Sequence, residues 1–595
     1  MPLHPYYTQR INTFQNAFQK AQKTENKLVI FRLLSFFAAI LLFYLLLCVS
    51  TGIAVIALIA GLIIFGYIIK WNLKITQQKQ FCQYMTEINE KELRCINGDF
   101  SSYPDGSQYQ DKDHSYTSDL DIFGKSSLFQ FLNRTSSQPG SKMLAQWLKH
   151  PASIDEILKR QEAINELSEK TEWRQKLMAI EYKYSDSTNN PESIMDWINE
   201  EPLFLKKLYL RPVISFLSIL SLALIAACFA GVQAGFLVVV LIANTAIIFK
   251  TTPSVNKIHR SVSKTVELLK SYSEILELIE HESFNSNKLI ELQNAFKNNK
   301  GIGSQQIHKL AKLVNKLDFR LNLIVALPLN LFFFWDIWQS IKLEKWKQQN
   351  SNHISQWFEA MAQFEALSSV ATLYFNNPGW VMPDIVNDYF KFKTQKIGHP
   401  LIPENHRVCN DLKINTTGKI VLITGSNMSG KSTFLRTCGV NIVLAMTGAP
   451  VCAKKMEVSH GLILTSMRIA DSLEENTSSF YAELKRLATI IQTIEKQEKV
   501  FLLLDEILRG TNSNDRHIGS EALIKQLIKN NAVGMIATHD LALSQLEQEL
   551  PHHIDNYNFD VKIENDELYF DYLLNKGICK SLNASILMKK MGIKL

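Results

Sequence analysis

Four charge-free apolar runs in two close pairs set the strongest limit on what this chain can fold into. Leu33–Val49 reads LLSFFAAILLFYLLLCV, and after Ser50-Thr51-Gly52 the stretch Ile53–Ile69 reads IAVIALIAGLIIFGYII. Each run is 17 residues long, near the lower limit for crossing a hydrocarbon core of about 30 Å. A helix packed on a water-soluble core needs polar positions every few residues, and neither run has any. The pair therefore reads as a transmembrane hairpin. The design recurs in Val213–Ala230 and Phe236–Phe249, joined by Gly231 to Gly235. The last run is shorter and holds Asn244 and Thr245, so a buried hairpin inside a soluble domain is the alternative for this pair.

Charge gives the orientation. Lys20, Lys23, Lys27 and Arg32 precede the first hairpin, and Lys70, Lys74 and Lys79 follow it. Lys206, Lys207 and Arg211 precede the second, and Lys250, Lys257 and Arg260 follow it. The turns are uncharged, so the positive-inside rule puts all flanks in the cytoplasm. The expectation is a multi-pass protein of the inner (plasma) membrane with about four spans and everything else on the cytoplasmic side. A fifth apolar stretch, Leu321–Trp335, is interrupted by Pro328 and ends at Asp336. It is short for a span, and packing inside the helical domain or lying at the membrane interface are its two readings.

At 595 residues the chain has room for three or four domains. Lysine and arginine number 64 against 57 aspartates and glutamates, a net charge of +7 that basic membrane flanks largely explain and that does not by itself point to nucleic acid. The eight cysteines are scattered, with no C-x-x-C and no histidine at metal-ligand spacing, so they read as reduced thiols. Residues 119–167 read as short helices, with Ser153 capping a helix and Glu156 completing a capping box. Val255–Ile279 carries a heptad-like series through Val262, Val266, Leu269, Tyr272, Ile275 and Leu278, predicting one long amphipathic helix. Further helices are expected over 288–296, 305–317 and 354–374. Lys297, Lys300, Lys309, Lys312 and Lys316 form either a solvated face or a phosphate-facing one.

From about Gly398 strands alternate with helices, the pattern of a parallel α/β sheet. Within it, KIVLITGSNMSGKSTFLR, Lys419–Arg436, fits G-x-x-x-x-G-K-[ST] through Gly425, Gly430, Lys431 and Ser432. An apolar strand runs into a glycine turn and then a helix. The loop Gly425, Ser426, Asn427, Met428, Ser429 and Gly430 can point backbone N–H groups at phosphate oxygens, and the helix through Lys431, Ser432 and Thr433 adds its positive end. Lys431 would reach the β- and γ-phosphates of ATP, and Ser432 would ligate Mg²⁺. A second buried strand, VFLLLDE, ends in two carboxylates. Asp505 is expected to hold the Mg²⁺ shell and Glu506 to orient and deprotonate the attacking water. A third strand, Ala532–Thr538, ends at His539-Asp540, the edge where parallel sheets bind ligands, and His539 is placed to polarise the γ-phosphate.

GSNMSGKSTFLR, DEILRGTN, the ATHD of Ala537–Asp540 and NTSSFYAEL of Asn476–Leu484 together resemble the ATPase domain of the MutS mismatch-repair family, which belongs to the ABC-type ATPases. The resemblance implies two nucleotide sites paired across a homodimer, with Ser478 reaching the γ-phosphate bound by the other subunit. It also implies that the Gly398-His399-Pro400 segment lies near the adenine, with His399 beside it, and that 119–167 is similar to the family's helical core. The stretch before Asp119 does not resemble the family's mismatch-reading domain, and the second hairpin stands partly where its DNA-clamping insertion would lie.

The implied fold is an α/β P-loop ATPase domain preceded by an all-α MutS core-like domain that two transmembrane hairpins interrupt. Its expected divisions are an N-terminal segment 1–27, hairpins 28–71 and 206–252, core-like parts 72–205 and 253–395, and the ATPase domain 396–595. The implied function is a membrane-anchored, Mg²⁺-dependent ATPase coupled to DNA binding or DNA repair. Two alternatives stand beside it: a membrane-tethered ATP-driven switch that no longer binds DNA and, with less in its favour, an ABC transporter, for which the L-S-G-G-Q signature is missing.

Overall fold

The computed structural model describes residues 3–183, 191–298, 301–387, 390–426, 428–468, 479–496, 499–564 and 567–579. The first apolar pair lies within two much longer helices, Leu3–Leu47 and Thr51–Ile96. At 1.5 Å per residue each is roughly 68 Å long, more than twice a hydrocarbon core. Helix runs unbroken through residues 27–28 and 71–72, so the apolar half and the polar half of the hairpin are one antiparallel pair. In the apolar half the two backbones approach closely. Ala39 and Ala54 are buried, and a Cβ on Gly61 would come within 2.5 Å of that of Ala39. Small residues at the crossing are what let apolar helices pack without a hydrophobic driving force between them. The polarity changes at Glu25, which accepts from Lys79 Nζ at 2.6 Å and Thr76 Oγ1 at 2.7 Å.

The far end of this hairpin is seated in the helical domain. Glu92 and Arg134, both fully buried, pair at 2.9 Å, and Glu92 also accepts from Tyr103 Oη and Asn376 Nδ2. Tyr7 Oη donates to Asn376 Oδ1 at 2.7 Å. Asn376 ends the helix Trp335–Asn376, whose 42 residues are buried on several sides. Around it pack Gln138–Lys149, Ile154–Glu169, Asn287–Asn294 and Gly303–Leu317. Ser153 caps as the sequence predicts, its hydroxyl accepting from Glu156 N, but the Glu156 carboxylate turns to Arg160 and Lys288 instead of closing the box.

The second pair forms helices Leu210–Phe229 and Gly235–Val262. Apolar side chains such as Phe216, Ile219, Val239 and Ile242 are more than 60% exposed, so this pair is not the buried soluble hairpin of the alternative reading. Among the described residues, four helices are long and apolar enough to cross a membrane. The single helix expected over Val255–Ile279 is in fact two. Gly235–Val262 carries on from the hairpin, a tight turn at Ser263–Thr265 intervenes, and Val266–Glu280 follows. The buried Thr265 hydroxyl donates to Val262 O at 2.7 Å, a local bond that competes with helix continuation. The Leu321–Trp335 stretch does not pack inside the helical domain. Leu323–Phe333 is a short helix with Pro328 within it, largely exposed and set against the second hairpin.

The C-terminal region holds a six-stranded sheet. Leu462–Ser466, Val500–Asp505, Val533–Thr538, Ile420–Gly425 and Ile554–Glu564 lie side by side in that order, all parallel, and Glu567–Lys576 closes one edge antiparallel. The three central strands are buried at every residue, as an inner parallel sheet requires. A four-stranded sheet built from Asp384–Val386, Phe392–Ile397, Asn410–Ile414 and Lys455–Ser459 flanks it.

One buried carboxylate fixes the helical domain to this sheet. Asp119 accepts from Thr465 Oγ1 at 2.6 Å, from the backbone N–H of Met467 and Arg468, and from Arg486 Nη2 at 3.1 Å. Its neighbour Asp121 holds the Arg468 guanidinium with both oxygens. Asp119→Ala strands four donors at once. The expected result is a loss of roughly 2–4 kcal/mol of unfolding free energy in denaturant titrations of the detergent-solubilised protein. A change below about 0.5 kcal/mol, the range of surface substitutions, would contradict this role.

Candidate functional site

The three central strands end at the same edge of the sheet, and their C-terminal residues build the site. Strand Ile420–Gly425 leads into the glycine loop, and helix Lys431–Thr447 leaves it. Glycine is needed at both ends of the loop. A Cβ at Gly425 would meet Ser429 Oγ at 2.8 Å and Phe559 O at 2.9 Å, and Gly430 has φ +103° with the Tyr572 ring 3.0 Å from where its Cβ would be. Lys431 is buried and donates to the carbonyls of Gly425 and Ser426 at 2.7 and 2.9 Å, so the ammonium lies across the mouth of the loop. Burial lowers its pKa, against the opposing pull of Glu506 and Asp505. Ser429 is buried and its hydroxyl has no partner among the described residues.

Asp505 ends the neighbouring strand. It is buried, one oxygen is unpartnered, and the Ser432 hydroxyl bonds to the carboxylate. Burial raises its pKa, with the Ser432 contact opposing. Glu506 follows with φ +46°, a left-handed turn that aims its side chain away from the strand line. Its backbone N–H donates to Ala537 O at 2.9 Å, tying it to the third strand. Its carboxylate lies 3.1 Å from Arg509 Nε and 3.7 Å from His539 Nδ1. Asp540 bonds His517 Nδ1 at 2.7 Å, which anchors the segment after His539 to helix Ser513–Lys529.

A cleft of about 540 Å³ opens beside the loop, within the range that small ligands occupy. It is lined by the loop residues Ser426, Met428, Ser429, Gly430, Lys431, Ser432 and Thr433, by Glu506, and by His399, Ile402, His406 and Val408. His399 thus shares a cleft with Lys431, far apart though they are in sequence. Leu401 N–H donates to His399 Nδ1. Burial, with Arg436 and Arg407 adding to it, pushes the imidazole down to about 4, so it is neutral at pH 7. Asn427 and Ser478 lie outside the described residues.

Two contributors are not singled out by the sequence, although Glu483 lies within NTSSFYAEL. Tyr572 sits where the antiparallel edge strand slips register between Phe559 and Val561. With φ +54° it is turned out of the ladder onto Gly430. A bulge of this kind re-aims a side chain, and one of three aromatics in ELYFDYLLNK gives no sign of it. Glu483, buried on helix Ser479–Glu495, accepts from the backbone N–H of Leu508 and Arg509 and so braces the loop after Glu506. Phe480 on the same helix packs so closely that a Cβ on Gly510 would approach to 2.5 Å.

A family model described as MutS domain III matches residues 113–371, and one described as MutS domain V matches 421–591. Together they cover well over half of the chain. The chain belongs to the MutS family. DNA mismatch repair protein MutS of Persephonella marina is 31% identical over 248 residues, covering 41% of this chain and 28% of that protein. The MutS proteins of Aquifex pyrophilus and Flavobacterium psychrophilum are 30% and 32% identical over 238 and 226 residues, covering 39% and 36% of this chain. The matched part of this MutS-family chain spans between a quarter and three tenths of these relatives' length.

The cleft histidine gives a pH test. An unfolded histidine takes up a proton near pH 6.5, whereas His399 resists until about pH 4. Its contribution to stability is therefore full above pH 6.5 and is lost as pH falls toward 4. Thermal unfolding of the wild type and His399→Asn between pH 7 and 4 is expected to show the wild type falling more steeply; parallel curves would contradict the assignment.

Proposed function

We propose that this chain is a membrane-anchored ATPase that binds ATP and Mg²⁺ in the cleft and hydrolyses it at sites completed across a homodimer. The carrying observation is that Ser432, Asp505 and Glu506 converge beside the Gly425–Gly430 loop at the C-terminal edge of a parallel sheet. The residues suit such a ligand. Ser429 and Asp505 each keep a buried polar atom unpartnered, and a phosphate and a cation would satisfy them.

In this reading Ser426 to Gly430 cradle the phosphates with backbone N–H groups, and Lys431 exchanges its loop carbonyls for phosphate oxygens. Ser432 and Asp505 hold Mg²⁺, which supplies charge neutralisation at the transferred phosphate. Glu506, released from Arg509, orients and deprotonates water, and His539 beside it polarises the γ-phosphate. His399 and Tyr572 flank the base end. Ser478 of each subunit completes the other's site. The four long apolar helices anchor the chain in the inner membrane, with the ATPase part on the cytoplasmic side.

The names of the relatives support DNA as the ligand coupled to hydrolysis. A second reading, a membrane-tethered switch without DNA, is favoured by one observation. Residues 210–262, inside the stretch matched as domain III, are an exposed apolar hairpin suited to lipid and not to phosphate.

Lys431→Ala is expected to abolish ATP binding by the detergent-solubilised protein. Glu506→Ala should bind ATP and turn it over about 10²–10⁴-fold more slowly, the contribution of a general base. Normal turnover by Glu506→Ala would overturn its role. For the coupled ligand, wild-type ATPase and binding are measured with homoduplex, mismatched and branched DNA across a salt series. DNA coupling predicts affinity that falls steeply with salt; no binding at low salt would leave the switch reading.

A further inference from the structure

The short helix Leu323–Phe333 lies against both helices of the second hairpin, and its chemistry and depth are both specific. Leu321, Leu323, Ile324 and Leu327 are 64–87% exposed, a continuous apolar face with no protein over it. That face adjoins the exposed apolar faces of the hairpin, so whatever covers the hairpin covers it too.

Depth follows from one buried side chain. Asn244, fully buried, donates to Ser221 Oγ at 3.0 Å and to the Leu331 carbonyl at 2.9 Å. Ser221 is eleven residues into helix Leu210–Phe229, and Asn244 is nine residues into helix Gly235–Val262. At 1.5 Å per residue these lie roughly 16 Å and 14 Å from the helix starts, the middle of a bilayer of about 30 Å. Leu331 is therefore held at mid-depth. Arg320, ahead of the helix, donates to Asn256 Oδ1 at 2.6 Å and pairs at 3.4 Å with Asp336, which follows it, so the residues flanking the helix on both sides are tied together and to the second hairpin. Asn256 is twelve residues beyond Asn244 on the same helix, roughly 18 Å nearer the polar side. The 11-residue helix is about 16 Å long, roughly half of what a full span needs. The chain then turns by 81° into Trp335–Asn376.

Side chains close several of the helix's backbone ends, which matters in hydrocarbon, where an unpaired N–H or C=O costs several kcal/mol. Asn322 caps the first turn by accepting from Ile324 N, Asn330 accepts from Asp336 N beyond the turn at Phe334, and Asn244 takes the Leu331 carbonyl.

We propose that Leu323–Phe333 is a re-entrant helix embedded in the leaflet facing the ATPase domain, its Leu321–Leu327 face in contact with lipid acyl chains. This rests on the membrane reading of the hairpins. The long helix Trp335–Asn376 would then begin inside the membrane boundary and end at the seat of the first hairpin.

The test uses full-length protein in phosphatidylethanolamine/phosphatidylglycerol vesicles, with p-benzoylphenylalanine placed at Leu327, at Ile219 on the hairpin, or at Ile518 on the sheet domain. All three positions are more than half exposed and should tolerate it. After irradiation, mass spectrometry is expected to find phospholipid adducts at 219 and 327 and none at 518. Adducts at 219 without any at 327 would overturn this proposal alone. Adducts at neither would overturn the membrane reading with it.

Discussion

The Asp119 carboxylate is the interaction on which the rest of the arrangement depends. It sits at the start of the helical domain and gathers four donors from the strand Leu462–Ser466, the residues just after it and helix Ser479–Glu495. That helix is also the one whose Glu483 braces the loop behind Glu506. A displacement at Asp119 is therefore only one helix removed from the proposed catalytic carboxylate. The cost of leaving so many buried donors unpaired makes the joint stiff.

A second path of stiffness runs along Trp335–Asn376. One end adjoins the second hairpin through Leu323–Phe333, and the other meets Tyr7 and Glu92 of the first hairpin. At roughly 63 Å this helix is long enough to join two membrane elements through a single rod, and the chain continues from it into the four-stranded sheet beside the cleft. The helix thus links the sheet domain to both hairpins through one continuous element.

Much of this was legible in the sequence, for local reasons. The apolar runs and the G-x-x-x-x-G-K-S loop are contiguous and carry their physics with them. Asp505 and His539 stand at strand ends on the edge where the loop begins, because neighbouring parallel strands share an edge. What stayed hidden depends on distant partners. Glu483 is one acid in an amphipathic helix until Leu508 and Arg509 are beside it, and Tyr572 acquires its place only through a bulge. The break at Ser263–Thr265 was invisible because the apolar series continues through it. Leu321–Trp335 was ambiguous since an apolar run of that length suits a core helix equally well; Asn244, 87 residues away from Leu331 in sequence, ties it to the second hairpin.

The central claim is that one chain joins a Mg²⁺-dependent ATPase to a membrane. It is tested most directly by reconstituting the full-length protein in vesicles, washing with alkaline carbonate, floating the vesicles on a density gradient, and assaying Mg²⁺-dependent ATP hydrolysis in every fraction. The account predicts that the activity floats with the lipid. Hydrolysis left at the bottom with stripped protein, or none in any fraction, would contradict it.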